Sequence, residues 1–505
     1  MSAIPIQPGY EEFLGKTQLG NLIPVYTELV TDFETPVSAF QKIDTGENTF
    51  LLESAETNDH VGRYSFLGCN PAVVFESRDL EIRILENGRE TIFTTDTDPL
   101  AELEKLMSRY RPVKEPALPS FTGGAVGFLT FDAVRFFEPT VGPAPKDDLG
   151  LPETKFLITD TLLAFDHRRR KLQIIANAYL PEGADPKAAY EAAGNRISEI
   201  VSQLRQPVAF EPLNTLQVSE PVEPTCNTTH EEYLATISQV QEYIHAGDIF
   251  QIVPSQRFEI PYTGEPLDFY RSLRSVNPSP YLFCFRFSPT FAIVGSSPEV
   301  HVRLTNNLVE IRPIAGTRKR GETQIEDDAN ATELLADPKE RAEHLMLVDL
   351  ARNDVGRIAE YGSVRVTDFM TIERYSHVMH IVSNVVGTLR GDRTAYDVMR
   401  ATFPAGTVSG SPKVRAMQII NQVEKNKRGI YAGAVGYFGF DGAHDSCIAL
   451  RTAVLKDGKA YVQAGGGVVA DSTPEGEYQE TINKAMGLMK AFSRARQLTK
   501  KTTTS

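Results

Sequence analysis

Short apolar runs interrupted by glycine, proline and asparagine dominate the chain before residue 206 and predict β-strands. Three of these runs are 72–75, 81–85 and 156–159, and two longer helical patterns lie near 99–109 and 186–205. Strands and helices that do not alternate strictly are typical of α+β folds. The sequence therefore predicts an α+β protein with large mixed or antiparallel β-sheets.

The segment 206–229 contains four prolines, many polar residues and no sustained periodicity, which is typical of a linker. It divides the chain into an N-terminal α+β domain, 1–205, and a second domain, 230–495, followed by a flexible tail, 496–505. A length of 505 residues favours two domains, because single cores stop growing beyond roughly 250–300 residues. We expect the two domains to pack closely on each other.

Helix signals are stronger after the linker. Capping patterns predict helices over 229–247, 337–353 and 473–489. No glycine-rich dinucleotide fingerprint or P-loop is present, so the sequence does not support a nucleotide-binding protein. The apolar runs between the helices predict strands at 250–260, 378–389, 432–440, 448–455 and 460–464.

Two segments on opposite sides of the linker resemble each other. They are GAVGFLTFD at 124–132 and GAVGYFGFD at 433–441. One explanation is a chance likeness between two hairpin strands rich in small residues. The other is that the two halves contain related sheets that pack against each other.

The charge balance narrows the range of partners. The net charge is −14, from 52 Lys and Arg against 66 Asp and Glu, and basic runs such as 168–170 are short. Nucleic acid and membrane surfaces are therefore poor partners. Four widely spaced cysteines favour a reducing compartment, and no signal peptide or apolar run of roughly 18 residues is found. We expect a soluble, cytoplasmic protein.

Two of the predicted helices each carry a pair of glutamates on one face. Glu340 and Glu343 are three residues apart, as are Glu477 and Glu480, with Lys484 one turn further along. Such pairs are usually solvated helix faces. Two pairs acting together would instead supply the oxygen ligands that Mg²⁺ prefers beside an anionic substrate.

Two glycine-containing loops precede predicted helices. One is 403–412, and the other contains Gly465, Gly466 and Gly467. Positions without side chains let a ligand approach backbone N–H groups, and the N-terminus of a helix attracts anions. Each loop is either an ordinary tight turn or part of a floor that binds carboxylates.

One arginine and two histidines stand out in apolar surroundings. Arg451 lies in a run typical of a buried strand, so it needs an anionic partner, either an internal carboxylate or a carboxylate of the substrate. His377 and His380 form a weak zinc pattern, because strand residues three apart face opposite sides. General acid or base catalysis is the better functional use of His380, and a structural histidine is the alternative.

Six segments taken together resemble the chorismate-utilising enzymes. The likeness covers about 226–495 and implies an α/β/β/α sandwich whose metal and substrate sites lie between the sheets. The segments are GSSPE at 295–299, PIAGTR at 313–318, KERAEHLMLVDLARND at 339–354, FPAGTVSGSP at 403–412, ALRT at 449–452 and GGG at 465–467 with its continuation to Glu480.

The residue types at two positions are similar to those of one branch of this family. That branch forms anthranilate, which is the first committed step of tryptophan biosynthesis. Ala315 stands where relatives that capture the ring covalently have lysine, and Gln251 stands where relatives that activate water have lysine. A neutral amide fits ammonia, which attacks without a base to ionise it. The resemblance implies that ammonia adds to C2 of chorismate as the C4 hydroxyl leaves, and that pyruvate is then lost.

The resemblance also implies a magnesium site. Glu343 and Glu480 would bind the ion directly, with Glu340 and Glu477 holding water or protons around it. The ion would neutralise the ring carboxylate and polarise the reacting centre.

Other roles follow from the same resemblance. Glu299 would assist the departure of the hydroxyl group, and His380 would transfer a proton during pyruvate elimination. Arg451 and Lys484 would grip carboxylates together with the backbone at Gly467 and the hydroxyl of Thr407. The full sets are catalytic Glu299, His380, Thr407, Gln251 and Lys484, and substrate-binding Thr317, Arg318, Thr407, Tyr431, Arg451, Gly465, Gly466, Gly467 and Lys484.

The N-terminal domain resembles the feedback-inhibitor region of the same branch, which implies a tryptophan-binding pocket. Glu53 and Ser54 suit the ammonium group of an amino acid, and Pro280 and Tyr281 offer an indole-sized apolar wall. The segment 62–68 departs from some members and leaves the contacts open. The complete predicted pocket is Glu53, Ser54, Asn277, Pro280, Tyr281, Leu282, Val435 and Tyr437.

The sequence contains no glutaminase-like segment. The resemblance therefore implies free ammonia, or ammonia from a separate glutamine amidotransferase subunit in a heterodimer or heterotetramer. Two rival functions stay open: an enzyme that stops at the aminated intermediate, aminodeoxyisochorismate, and a non-catalytic amino-acid sensor on the same fold. The intact acidic positions and Arg451 argue against the sensor.

Overall fold

The computed structural model describes residues 4–54, 62–208, 212–214, 222–375 and 378–502. His377 and the predicted zinc pattern that includes it lie outside these residues. Within the described ranges, none of the helices combines the length and the apolar composition that a bilayer crossing requires.

Three helices of the described chain begin directly after the predicted capping residues Thr229, Asp337 and Thr473. The α-helices in the described ranges are α1 (Tyr10–Lys16), α2 (Pro36–Ile43), α3 (Pro99–Met107), α4 (Val134–Phe137), α5 (Pro186–Leu204), α6 (His230–His245), α7 (Pro266–Val276), α8 (Gln324–Ala336), α9 (Pro338–Gly356), α10 (Ala395–Thr402), α11 (Lys413–Val423) and α12 (Pro474–Thr502).

The strands of the described chain are β1 (Leu22–Val30), β2 (Thr49–Glu53), β3 (Tyr64–Gly68), β4 (Val73–Arg78), β5 (Glu81–Glu86), β6 (Arg89–Thr94), β7 (Gly124–Leu129), β8 (Thr154–Thr159), β9 (Thr161–Asp166), β10 (Lys171–Tyr179), β11 (Thr225–Cys226), β12 (Gln251–Ile252), β13 (Ser255–Pro261), β14 (Tyr281–Ser288), β15 (Phe291–Ser297), β16 (Val300–Thr305), β17 (Leu308–Ile311), β18 (Ile314–Lys319), β19 (Arg365–Arg374), β20 (Val378–Thr388), β21 (Gly410–Ser411), β22 (Ala434–Gly439), β23 (His444–Ile448), β24 (Thr452–Lys456) and β25 (Lys459–Gly465).

Two large antiparallel sheets organise these strands. Sheet I has the order β1-β10-β9-β3-β2-β14-β15-β24-β25-β13-β11. Sheet II has the order β18-β20-β17-β16-β23-β22-β7-β8-β4-β5-β6, with β19 also paired to β20. A small two-stranded sheet joins β12 to β21.

Three apolar clusters separate the layers. The cluster between the sheets contains Phe128 and Val435 of sheet II and Phe283 and Phe285 of sheet I. A second cluster packs helices such as α5, α7 and α12 on the outer face of sheet I, and a third packs α9, α10 and α11 on sheet II. The predicted α/β/β/α sandwich of the α+β class is confirmed.

Both sheets continue through the predicted domain boundary. In sheet I, β2 of the N-terminal part pairs with β14, and in sheet II, β7 pairs with β22. The end of the predicted linker also forms β11, which pairs with β13. The predicted domains are therefore two stretches of sequence that share both sheets.

Three predicted elements have different bounds in the structure. The strand predicted at 250–260 is split into β12 and β13, because Pro254 has no N–H to donate to a ladder. The strand at 448–455 is broken before β24 by Arg451, whose φ is +47°. Helix α12 continues past Met489 to Thr502, because its sequence has good helix formers and no proline, so most of the predicted tail is helical.

The two similar segments are neighbours in one sheet. The strands β7 and β22 pair directly, with Gly127 opposite Gly436. A Cβ atom at Gly127 would lie 1.9 Å from the carbonyl oxygen of Lys155, and one at Gly436 would lie 2.1 Å from that of Asp445. These two glycines therefore allow the outer neighbours β8 and β23 to approach closely. Across the seam itself, a Cβ atom at Gly124 would lie 2.1 Å from the carbonyl oxygen of Phe438, and one at Gly433 would lie 2.2 Å from that of Leu129. The first glycine of each segment thus allows the two halves of the chain to pair within sheet II, an arrangement that neither predicted explanation included.

We predict that Gly127→Ala lowers the free energy of unfolding by about 1–3 kcal/mol, because the new methyl group overlaps the Lys155 carbonyl oxygen and must displace backbone. Thermal unfolding followed by circular dichroism measures this effect. Gly15→Ala is the matched control, since a methyl group there meets no atom within 4 Å. Equal melting temperatures for Gly127→Ala and the wild-type chain would contradict the prediction.

Candidate active site

A cavity of about 490 Å³ lies where strands of the sandwich meet helices α9 and α12. It brings together most of the residues that the sequence predicted to be functional. The predicted residues that line it are Gln251, Glu299, Thr317, Glu340, Glu343, His380, Thr407, Tyr431, Arg451, Gly465, Gly467, Glu477, Glu480 and Lys484.

Two predicted substrate-binding residues do not line this cavity. Arg318 forms ion pairs with Asp337 at 3.0 Å and Glu340 at 3.2 Å, so it braces the start of α9. Gly466 acts by having no side chain, because a Cβ atom there would lie 2.5 Å from Oε2 of Glu477. Both residues support the acidic side chains of the cavity in this structure.

The small sheet of β12 and β21 holds the two glycine-containing loops together. Gln251 pairs with Ser411 of the first loop, and Ile252 exchanges backbone hydrogen bonds with Val468 of the second. The amide of Gln251 therefore projects into the cavity, where Nε2 donates to Oε1 of Glu343 at 3.4 Å. A Cβ atom at Gly467 would lie 2.8 Å from that Nε2.

The two glutamate pairs face the cavity from the first two turns of α9 and α12. Asp337 caps α9, accepting hydrogen bonds from the backbone N–H groups of Lys339 and Glu340. Burial, followed by the nearby Glu340, raises the pKa of Glu343, and burial also raises the pKa of Glu477. These shifts reflect acidic groups that share a partly desolvated space.

This donor set fits a hard divalent cation by its chemistry. Oε2 of Glu477 is buried and has no hydrogen-bond partner among the described residues, and Gly466 leaves room beside it. As placed, no three acidic, histidine or cysteine side chains in the described ranges converge closely enough to hold a metal ion. A bound cation would therefore require the glutamates to move together.

Glu299 lies in the short link between β15 and β16 and lines the cavity. Burial raises the pKa of this carboxyl group to about 7, although the Thr407 hydroxyl and Lys484 act in the opposite direction. Near neutral pH the group is therefore present in both protonation states. A carboxyl group with these properties can donate a proton to a leaving oxygen.

His380 on β20 presents a neutral imidazole to the cavity. Its Nδ1 lies 2.8 Å from the carbonyl oxygen of Gly316, which can only accept, so Nδ1 carries the proton. Burial lowers the pKa of His380, which favours the neutral ring. The Nε2 atom is then the unprotonated nitrogen and can act as a base.

Arg451 lies between β23 and β24 with its guanidinium facing the cavity. Nη1 donates to Oδ1 of Asn277 at 3.0 Å, and no carboxylate of the described residues lies within 4 Å of the guanidinium. The internal salt bridge considered from the sequence is therefore not formed in this part of the chain. Burial lowers the pKa of Arg451, and an anionic ligand would compensate its buried charge.

Lys484 on α12 also lines the cavity. Its Nζ lies 2.7 Å from Oε1 of Glu480 and donates to the carbonyl oxygen of Gly465 at 2.9 Å. Lys339 and Gln463 also line the cavity and were not among the predicted site residues. Lys339 immediately precedes Glu340 in a recognised segment and could have been found there, whereas Gln463 carried no separate signal.

Two of the predicted inhibitor residues, Glu53 and Tyr281, lie on opposite faces of sheet I. Glu53 pairs with Leu282 and faces the helix layer, where Tyr270 donates a hydrogen bond to its carboxylate and Arg274 lies 3.4 Å away. Tyr281 faces the space between the sheets, and its hydroxyl donates to Asp445 at 2.8 Å. The carboxylate of Glu53 and the ring of Tyr281 therefore point away from each other.

The other members of this set connect the inter-sheet core to the cavity. Val435 and Tyr437 belong to the inter-sheet cluster, and Pro280 lines the main cavity. Asn277 contacts Arg451 through its side chain. The segment 277–281 thus touches both the core between the sheets and the candidate active site.

Comparisons with known proteins agree on one family. Residues 47–490 match the family described as chorismate binding enzyme. The anthranilate synthase component 1 of Pseudomonas putida is 46% identical over 497 residues, which cover 97% of this chain and 99% of that protein. The protein of the same name from Synechocystis sp. is 47% identical over 509 residues, covering 96% and 99%.

Solved structures give the same result for the fold. Anthranilate synthase component I from Streptococcus pneumoniae matches with a TM-score of 0.75 and 38% identity, covering 91% of this chain and 99% of that one. The menaquinone-specific isochorismate synthase from Escherichia coli matches with a TM-score of 0.69 at 17% identity, covering 96% and 98%. The second likeness shows a shared fold alone.

The raised pKa of Glu299, about 7 against an ordinary value of 4.5, predicts a pH-dependent stability. The favourable contribution of the protonated group is complete below pH 4.5 and is lost as the pH rises through 7. Glu299→Gln keeps a neutral side chain at every pH. We therefore expect its melting temperature, relative to the wild-type chain, to rise between pH 5 and pH 8.

Scanning calorimetry at several pH values measures this difference. Glu199→Gln on the exposed face of α5 is the matched control and should show no such trend. A difference between Glu299→Gln and wild type that stays constant across the range would show that Glu299 does not titrate there.

Proposed function

The chain belongs to the chorismate binding enzyme family, and we propose that it converts chorismate and ammonia into anthranilate. The observation that carries the proposal is that two side chains of the cavity wall, Gln251 and Ala315, are uncharged. Gln251 cannot act as the base that would activate water, and Ala315 cannot capture the ring as a lysine amine would, which favours a nucleophile that needs no base. The names of the full-length relatives support the same reaction.

The first half of the reaction uses Gln251 and Glu299. Ammonia would approach C2 of chorismate beside the Gln251 amide while the bond between C4 and its hydroxyl breaks. Glu299 would protonate the leaving hydroxyl so that it departs as water. Because the pKa of Glu299 is about 7, part of this carboxyl group is protonated near neutral pH and can donate the proton. The product of this half is the aminated intermediate.

The second half uses His380. Its unprotonated Nε2 would take the proton from the aminated ring carbon while the bond between the ring and the enolpyruvyl oxygen breaks. Pyruvate then leaves and the ring becomes aromatic. This step separates the proposed function from that of an enzyme that stops at the aminated intermediate.

Cationic groups would hold the two carboxylates of chorismate. Arg451 has no internal carboxylate partner among the described residues, and Lys484 lines the same cavity. The Thr407 hydroxyl and the backbone at Gly467 line the same space. These groups fix the ring between Gln251 and the catalytic acid and base.

Glu343 and Glu480 would hold Mg²⁺, with Glu340 and Glu477 beside them. When bound, the ion would supply positive charge that neutralises the ring carboxylate. Lys339 and Lys484 lie near these acids and partly balance them in its absence.

We also propose a partner and a regulator. The relatives are named component 1, which supports a second component, and the partner would be a glutamine amidotransferase that delivers ammonia in the cytoplasm. Tryptophan would act as feedback inhibitor at the segment 277–281. That segment contacts both Arg451 and the inter-sheet cluster, which supports coupling between the two places.

The direct test supplies chorismate, ammonium chloride and Mg²⁺ and identifies the product by fluorescence and mass spectrometry. We expect anthranilate and pyruvate in equal amounts. Accumulation of aminodeoxyisochorismate without pyruvate would select the rival enzyme, and unchanged chorismate would leave the amino-acid sensor.

Glu480→Gln is expected to reduce turnover by at least a factor of about 100, because it removes a carboxylate from the proposed cation site. Anthranilate fluorescence under saturating chorismate measures the loss. Glu475→Gln is the matched control, since Glu475 lies in the first turn of the same helix and does not line the cavity. Unchanged turnover in Glu480→Gln would remove the metal-site assignment.

Tryptophan binding can be measured directly, because the chain has no tryptophan of its own. We expect the fluorescence of added tryptophan to change on binding, and Ser54→Ala to weaken binding about fivefold, the equivalent of one net hydrogen bond. Glu480→Gln should bind tryptophan like the wild-type chain. Ser198→Ala on α5 serves as the control, and equal affinities for both serine variants would exclude Ser54 from the pocket.

A further inference from the structure

A second, smaller cavity opens at the surface next to helix α6. It has a volume of about 30 Å³, which is enough for about two molecules of the size of water. Its outer part is lined by polar residues that include Thr228, Thr236 and Asn426. Its inner end is formed by Tyr233, Ser255 and Gln463.

Gln463 is shared by the two cavities. Its side chain, on β25, lines the small surface cavity and also the wall of the candidate active site. Only 8% of the residue is exposed. A single buried amide therefore separates the surface cavity from the place where the reaction is proposed to occur.

The hydrogen bonds around Gln463 fix the orientation of its amide. Ser255 uses its one hydroxyl proton to donate to Oε1 of Glu424 at 2.8 Å. It can therefore only accept from Gln463, whose Nε2 donates to Ser255 Oγ at 2.8 Å. The amide oxygen must then be the other terminal atom, Oε1.

The amide oxygen of Gln463 lacks a hydrogen-bond donor in this part of the structure. Oε1 of Gln463 is buried and has no hydrogen-bond partner among the described residues. A buried acceptor without a donor costs about 1–3 kcal/mol, so a small molecule that brings an N–H group would be stabilised there.

The charges of the small cavity favour a neutral molecule. Its two acidic residues are both engaged, Glu232 with Lys425 at 2.6 Å and Glu424 with Arg428 at 2.6 Å. An ammonium ion would find no free carboxylate here and would lose its hydration. Neutral ammonia has the required N–H groups, the size and no charge.

We propose that Gln463 is an ammonia-binding residue at the inner end of an access path from this surface cavity to the substrate cavity. The inference rests on the proposed function, because it assigns a route to the nucleophile of that reaction. Ammonia would enter beside Thr236, donate to Oε1 of Gln463 and pass into the cavity on the side that Gln463 lines. Chorismate, which is far larger than the small cavity, would use the main opening.

The first test blocks the outer part of the path. Thr236→Phe places an aromatic ring at a half-buried position of the small cavity, away from the substrate. Ser238→Phe is the matched control, because Ser238 is exposed on the same helix and makes the same hydroxyl bond to the carbonyl four residues earlier. Anthranilate formation is followed with ammonium chloride varied at fixed pH. We expect KM for ammonia to rise several-fold in Thr236→Phe alone, with KM for chorismate unchanged.

The second test removes the acceptor. Gln463→Leu keeps the volume and deletes Oε1, and we expect KM for ammonia to rise about fivefold or more while KM for chorismate stays within about twofold. Thermal unfolding checks that both variants are folded. A rise in KM for chorismate instead would make Gln463 a substrate-binding residue and overturn the proposal.

Unchanged ammonia kinetics in Thr236→Phe, with normal anthranilate formation by the wild-type chain, would also overturn it, because ammonia would then enter through the main opening. If the wild-type chain forms no anthranilate from chorismate and ammonia, the proposed function itself fails. The two failures are therefore distinguished by the wild-type activity.

Discussion

Direct strand pairing between the two halves of the chain is the constraint on which the rest of the structure depends. The pairs β2–β14 and β7–β22 make each large sheet continuous across the segment 206–229. The second pair is possible because Gly124 and Gly433 have no side chains where the backbone of the paired strand passes closely. Since both seams cross the core, the N-terminal part cannot shift without disturbing the sheets that position the candidate active site.

The first seam also explains why the segment 277–281 touches two regions. It connects α7 to β14, the strand that pairs with β2, so its ends are fixed by the helix layer and by the sheet. Between those ends, Asn277 accepts from Arg451 and Pro280 reaches the cavity. A ligand bound against Tyr281 would therefore act on a segment that already holds the arginine proposed to grip the substrate.

The features predicted correctly are those that depend on neighbouring residues in the sequence. The starts of α6, α9 and α12 follow from capping residues and proline. The segments that resemble the chorismate-utilising enzymes contain most of the predicted residues that line the cavity. The direction of Glu53 could not be predicted, because it depends on the register between β2 and β14. The pairing of the two GAVG strands depends on residues far apart in sequence, and Gln463 became notable only when its unsatisfied oxygen and its two cavities were visible.

The candidate active site contains more acidic than basic side chains. Five glutamates line it, namely Glu299, Glu340, Glu343, Glu477 and Glu480, against the three cations Lys339, Arg451 and Lys484. Burial raises the pKa of Glu299, Glu343 and Glu477, so the space already disfavours further negative charge. Chorismate would add two carboxylates, one of which Arg451 can pair. Lys484, proposed to hold the other, already pairs with Glu480 at 2.7 Å, so further positive charge is needed, which is the physical reason to propose a divalent cation. The same excess of negative charge would retain ammonium ions rather than release neutral ammonia, and it favours delivery of the nucleophile past a neutral amide such as Gln463.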